Sequence, residues 1–261
     1  MDILQEIIAH KKLEVAQLRR DVLIENLVKS PNFKRTPMSL KKALTDVNST
    51  GIIAEFKRQS PSKGIINDKV SVVEVTQGYL DANVAAQSIL TDSKFFGGNI
   101  NDVMKARSVN EIKPILRKDF IVDAFQIVES KAIGADVILL IAACLTKQEL
   151  KNFGMLAEDL GLDVLYEVHN QEELDKIDLD NKIIGINNRN LKTFKVDLEH
   201  SIALARQIPS SCIKVSESGL SDPRIIMGLK EYGFQGFLIG ENFMKTEDPG
   251  VACQDFINQI R

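Results

Sequence analysis

Lys118 closes one apolar stretch of the chain, in Arg117-Lys118-Asp119-Phe120, and Glu167 closes another, in Tyr166-Glu167-Val168-His169. An ammonium and a carboxylate brought face to face can serve as a general acid and a general base. A third apolar stretch ends in Glu55-Phe56-Lys57. The two-residue period of a strand sends Glu55 and Lys57 to one side and Phe56 to the other. Buried charge is costly unless paired, so this tandem points to a working ion pair. Taken singly, each residue has a plainer reading. Lys118 also fits a snorkelling lysine or a Schiff-base lysine, and Glu167 a carboxylate at a helix start.

Four further segments carry polar or flat groups. Ser60, Ser62, Lys63 and Gly64 make a polar loop suited to covering an anion. Phe95-Phe96-Gly97-Gly98 offers a wall for a planar ring, or a hydrophobic plug under a loop. In Asn187-Asn188-Arg189-Asn190 the amides can orient hydroxyl groups and Arg189 can bind an anion bidentately. Asn188 and Asn190 serve equally well as turn formers. Glu217-Ser218-Gly219 and Gly240-Glu241-Asn242 place glycines before helix starts, where backbone N–H groups and the helix dipole favour a phosphate. His169 reads as a loop residue: His10 and His200 are remote in sequence, no HxxxH or HExxH occurs, and no metal site is expected.

These residues need a frame that gathers them. Apolar runs at 51–56, 84–90, 112–116, 137–141, 162–168, 182–187, 212–216 and 234–240 read as eight strands. Helical patterns lie between them, among others at 71–82, 123–133, 146–160, 197–207 and 222–232. Strict alternation excludes a β-sandwich and a helical bundle, and several runs apolar throughout argue for a parallel sheet buried on both faces. An open doubly wound sheet is the alternative. The count of eight favours an α/β fold of the (β/α)8 TIM-barrel type, which takes about 250 residues and gathers its chemistry at the C-terminal ends of the strands. A helix over 2–20 and a shorter one capped by Ser39 precede the repeating part. The expectation is one domain over 1–261, with residues 1–50 as an N-terminal helical extension covering the mouth or the base of the barrel.

A net charge of −3 gives no electrostatic footprint for nucleic acid. Cys144, Cys212 and Cys253 are odd in number, far apart and without a CxxC, which reads as reduced thiols in a cytosolic protein. No signal-peptide core is visible, and no apolar stretch approaches the ~20 residues of a membrane span. A soluble cytoplasmic protein is expected.

The segments IAEFKRQSPSKG (53–64), LTDSKFFGG (90–98), PILRKDFIVD (114–123), LYEVH (165–169), IGINNRNLKTF (184–194), VSESG (215–219) and FLIGENFM (237–244) together closely resemble the indole-3-glycerol phosphate synthase family. The resemblance implies a lyase of tryptophan biosynthesis that closes, decarboxylates and dehydrates a carboxyphenylamino-deoxyribulose phosphate. It implies no metal and no organic cofactor. Lys118 is then the acid of ring closure and Glu167 the base of dehydration. Lys57 pairs with the substrate carboxylate, and Glu55 holds the lysine network. Asn187, Arg189, Glu217 and Ser218 match polar active-site positions. Phe96 and Phe120 flank the ring, Gly219 and Gly240 bind the phosphate, and the loop bearing Ser60 covers it. Asn99 stands where many relatives have serine. The partner is a small phosphorylated substrate, with neither nucleic acid nor membrane. The protein is expected to be monomeric, with weak association to other enzymes of the pathway. Two other readings remain: another phosphate-binding barrel, such as a Schiff-base aldolase, and a catalytically silent sugar-phosphate sensor.

Overall fold

The computed structural model describes residues 3–190 and 193–260. The first residue of the expected helix 2–20 therefore lies outside it, as do Leu191 and Lys192 of the IGINNRNLKTF motif. Among the described residues, eight parallel strands close into a barrel: β1 (Ile52–Phe56), β2 (Ala86–Leu90), β3 (Ile115–Lys118), β4 (Val137–Ile141), β5 (Asp163–Val168), β6 (Ile183–Asn187), β7 (Ile213–Glu217) and β8 (Phe234–Ile239). Each strand pairs with the next in the chain, and β8 closes on β1 with Ile53 opposite Leu238.

The strands are apolar throughout because both faces are buried. In β4, Val137, Leu139 and Ile141 fill the barrel interior with Ile53, Leu116, Leu165, Ile183, Val215 and Leu238. Ile138 and Leu140 point outward into the layer under the helices, with Ile52, Phe56, Ile115, Tyr166, Ile184 and Phe237. Phe56 thus turns away from Glu55, as the period of two requires. Helices at Val72–Asp81, Ala124–Ala132, Lys147–Asp159, Leu198–Ala205 and Pro223–Glu231 occupy the expected positions, and Pro249–Ile260 completes the ring. Among the described residues no helix is long and apolar enough to cross a membrane.

One strand lies later than its sequence suggests. The expected run 112–116 becomes Ile115–Lys118. Asn110 Oδ1 accepts from the backbone N–H groups of Ile112 and Lys113 at 3.2 and 2.9 Å, bending that segment into a turn, and Pro114 has no N–H to give a ladder. Lys118 is consequently the last residue of the strand, paired with Leu90, and not two residues beyond its end.

The N-terminal extension works at both ends of the barrel. Ser39 Oγ caps the short helix Leu40–Thr45 by accepting from Lys42 N, and Leu40 and Leu44 join the inner core at the base. Asp163, where β5 begins, holds this helix by accepting from Ser39 Oγ and Lys41 N. Burial of such leucines is worth roughly 1.5–3 kcal/mol each. At the mouth lies the helix Ile3–Asp21, whose Ile7, Lys11 and Val15 form one buried stripe. Lys11 is a charge of this helix that does not face solvent. Its ammonium is 1% exposed and lies 3.0 Å from Asp92, 3.1 Å from Asp119 and 3.0 Å from Glu14. Burial opposes its charge, but Asp119 and Asp92 outweigh that and hold the group firmly protonated.

Candidate active site

The C-terminal ends of β1, β3, β5, β6 and β7 bring Glu55, Lys57, Lys118, Glu167, Asn187 and Glu217 around one cavity of about 290 Å³. Lys118 Nζ lies 3.3 Å from Glu167 Oε2 and 3.7 Å from Glu217 Oε2. Asn187 Nδ2 donates to Glu167 Oε1 at 3.0 Å. Lys57 Nζ is 2.9 Å from Glu55 Oε1, and Ser88 Oγ donates to Glu55 Oε2 at 3.4 Å. The ion pair anticipated in β1 is therefore present, and it faces the same space as Lys118.

Lys57 and Lys118 face Glu55, Glu167 and Glu217, all three carboxylates buried. Burial, together with the negative charges of Glu167 and Glu55, pushes the Glu217 carboxyl up to about 8, so it keeps its proton at neutral pH. Glu167 moves the other way. Burial opposes its charge, yet Lys118, His169 and the Asn187 amide hold it below the usual carboxylate range. Lys118 is kept cationic in turn: burial works against its charge, and Glu167, Glu217 and Glu55 prevail. The resting site therefore contains an ammonium with its proton in place, an ionised carboxylate 3.3 Å away, and a neutral carboxyl behind both.

Two glycines make room for these carboxylates. A Cβ on Gly185 of β6 would overlap Glu217 Oε1, and one on Gly240 would come within 2.5 Å of Glu55 Oε1. Gly240, read from sequence as a phosphate ligand, thus also leaves space for Glu55.

The rim beyond β7 and β8 is polar. Ser218 and Gly219 lie in the cavity wall with φ of 71° and 74°. A left-handed serine costs of order 1–3 kcal/mol and persists only where its surroundings hold it. Asn188 supplies that hold, donating from Nδ2 to Ser216 Oγ at 3.0 Å and to the Ser218 carbonyl at 2.8 Å. Its alternative reading as a plain turn residue does not account for this clamp. Gly240 opens the short helix Glu241–Met244. Glu241 pairs with Lys63 at 3.6 Å and with Arg189 at 3.7 Å, so its charge is met by two cations beside the rim. Ser60 lines the cavity from a short hairpin (Gln59–Ser60 with Gly64–Ile65). Lys245, which sequence reasoning passed over, also lines the cavity.

The apolar side joins Phe96 and Phe120, ring centroids 5.9 Å apart, with Ile7, Leu90, Leu139 and Ile141. Phe95, the other half of the expected aromatic wall, turns away to meet His10 of the N-terminal helix edge-on at 5.8 Å. Asn99 is accounted for by capping: its side chain accepts from Asn101 N at the start of Ile100–Val109. His169 is more than a loop residue, because Nε2 lies 3.4 Å from Glu167 Oε1. Nor is His200 remote in space, its Nε2 being 2.8 Å from the His169 carbonyl oxygen. No group of three or more His, Cys, Asp and Glu side chains among the described residues is arranged to hold a metal ion.

The arrangement can bind a flat ring on one side and an anion on the other, and hold an acid and a base between them. The sequence profile of indole-3-glycerol phosphate synthase matches residues 4–256. The indole-3-glycerol phosphate synthase of Bacteroides thetaiotaomicron is 48% identical over 260 residues, covering 100% of this chain and 99% of the relative. That of Caldanaerobacter subterraneus is 43% identical, covering 99% of each chain. That of Polaromonas sp. is 40% identical, covering 96% of each. Among solved structures, the tryptophan synthase α subunit of Legionella pneumophila superposes with a TM-score of 0.61 at 13% identity, over 85% of this chain and 96% of that one. At that identity the likeness speaks for the barrel fold alone.

Proposed function

The chain belongs to the indole-3-glycerol phosphate synthase family, and from that premise we propose how its own side chains divide the reaction. The enzyme is a carboxy-lyase of tryptophan biosynthesis acting on a small-molecule substrate. It closes the ring of 1-(o-carboxyphenylamino)-1-deoxyribulose 5-phosphate, with loss of CO₂ and water, to give indole-3-glycerol phosphate.

The anthranilate ring sits against Phe96 and Phe120, and its carboxylate meets Lys57, which Glu55 holds in place. The phosphate lies at the opposite rim, against Ser218, Gly219 and Gly240, with Arg189 nearby and Ser60 on the covering loop. Bound at both ends, the substrate is folded so that its ring carbon faces its ketone, and this positioning supplies much of the acceleration. Attack by the ring carbon develops negative charge on the ketone oxygen. Lys118 donates its proton there and neutralises that charge. Loss of CO₂ restores the aromatic ring. Dehydration then requires one proton to leave the new five-membered ring and one to reach the departing hydroxyl, which leaves as water. Glu167 takes the ring proton, a contribution of about 10²–10⁴-fold for a general base. Asn187 orients Glu167, and Glu217 tunes the charge seen by Lys118.

The observation that carries this reading is the 3.3 Å contact between Lys118 and Glu167 inside the ring-and-anion cavity. Its test is indole fluorescence on adding the substrate to purified enzyme. Wild type turns over, and Lys118→Ala, folded by circular dichroism, loses kcat by orders of magnitude. Near-normal turnover in that variant removes Lys118 as the acid. A borohydride-trapped adduct on Lys118 would favour the Schiff-base alternative.

We further propose that residues 1–261 form one domain that includes the extension of residues 1–50. Leu40 and Leu44 in the inner core and Lys11 at the strand ends support this. A cytoplasmic monomer, associating weakly with other enzymes of the pathway, is the accompanying proposal. The three unpaired thiols suit a reducing compartment. Sedimentation at micromolar concentration, alone and with those enzymes, tests it.

A further inference from the structure

One ionisable chain borders the site without a part in the steps above. His169 follows β5 directly, two residues beyond Glu167. Its ring lies between two carboxylates: Nδ1 is 3.0 Å from Glu173 Oε2, and Nε2 is 3.4 Å from Glu167 Oε1. Glu173 is itself fixed. Its Oε2 also accepts from the His169 backbone N–H at 2.8 Å, and its Oε1 accepts from Asn170 Nδ2 at 2.9 Å. Asn170 in turn caps the helix Gln171–Leu174 that carries Glu173. From the other side, His200 Nε2 donates to the His169 carbonyl at 2.8 Å. The imidazole is therefore clamped, and its buried Nε2 has no hydrogen-bond partner among the described residues. What it faces is Glu167.

The two oxygens of Glu167 consequently have different surroundings. Oε1 receives the Asn187 amide at 3.0 Å and faces the imidazole, while Oε2 faces Lys118 and the cavity. We propose that His169, braced by Glu173, is a positioning residue for Glu167: it holds Oε1 and keeps Oε2, beside Lys118, turned to take the substrate proton. This deepens the dehydration step and rests on the reading of Glu167 as its base.

The charges around the ring are consistent with that role. Burial disfavours the imidazolium, but the Glu173 hydrogen bond and the charges of Glu167 and Glu173 outweigh it, against opposition from Lys118 on β3. His169 is thus raised above its ordinary value. Cys144, after β4, stays neutral: burial, with the charges of Glu167 and Glu173, pushes its thiol up. A proton on the His169 imidazole, beside Oε1, favours the ionised form of Glu167.

The test is the pH dependence of kcat in His169→Ala and His169→Gln, with Glu167→Gln as control. Gln keeps an N–H near the position of Nε2; Ala does not. Expected for His169→Ala is a kcat about 10- to 10²-fold lower, the size of a small misplacement of a reacting group, with KM nearly unchanged. The acid limb of its profile moves to higher pH, because Glu167 loses a cation that favoured its ionised form. His169→Gln recovers most of kcat, and His169→Ala adds no further loss to Glu167→Gln. Normal kcat in His169→Ala, an unmoved acid limb, or equal losses in Ala and Gln would overturn the proposal. Should the Ala variant not fold, kcat in His169→Gln against His169→Asn decides in the same way, since Asn reaches only the Nδ1 position. Full activity in Glu167→Gln would instead sink the assignment of Glu167 itself, a result distinct from failure of the His169 proposal alone.

Discussion

Gly185 on β6 lies so close to Glu217 on β7 that no Cβ fits between its backbone and Oε1 of that carboxyl. The glycine is thus a spatial requirement of the charged cluster. A methyl group there must displace Glu217, because the backbone of two paired central strands has no freedom to retreat. Gly185→Ala should fold and still bind substrate while kcat falls about 10²-fold, the usual cost of a misplacement near 1 Å. Steady-state kinetics with a thermal melt check this; an unchanged kcat would show that Glu217 can move without consequence.

Glu217 leads to a pH prediction of definite sign. Its carboxyl titrates near 8 in the folded protein, against an ordinary value of 4.5. Between those values the native state keeps a proton that the unfolded chain has released, so stability falls as pH rises through this window. Glu217→Gln, which cannot ionise, should lose less stability across the same range. Melting curves at intervals from pH 5 to pH 9 in both proteins measure the difference, and parallel curves would contradict it.

Lys11 ties the N-terminal helix to two strand-end aspartates. Asp92 caps the turn of helix that carries Phe96, and Asp119 stands between Lys118 and Phe120. Removing one partner of a buried ionic group leaves the others uncompensated, at a cost of about 3–5 kcal/mol. Lys11→Ala should be destabilised by that amount in urea. Its KM should rise as well, since the helix and the cavity-lining Phe96 and Phe120 lose their common anchor. A loss under 1 kcal/mol would place Lys11 among ordinary surface charges.

Much of this architecture is legible in the sequence because a parallel barrel buries both faces of each strand. Eight apolar runs are the direct trace of that burial, and the spacing of Glu55 and Lys57 follows from strand geometry alone. What escapes is set by contacts distant along the chain. Lys11 looks like a solvated charge until Asp92 and Asp119 are brought beneath it. Phe95 and Phe96 are indistinguishable as residue types, and only the helical turn capped by Asp92 sends one to the cavity and the other to His10. The role of Gly185 depends on cross-strand register, and that of His169 on a short helix returning Glu173 to its ring. The sequence pattern puts the start of β3 too early because Ile112 looks like a strand residue, whereas the Asn110 side chain bends that segment into a turn.

The division of labour between Lys118 and Glu167 is tested most directly by a single turnover of Glu167→Gln, following CO₂ release and indole fluorescence together. CO₂ should be released at a rate within about tenfold of wild type, while indole appears about 10²–10⁴-fold more slowly, the share expected of a lost general base. The ring-closed alcohol would accumulate between the two signals. Loss of both signals in step, or retention of both, would contradict the assignment of Glu167 to dehydration.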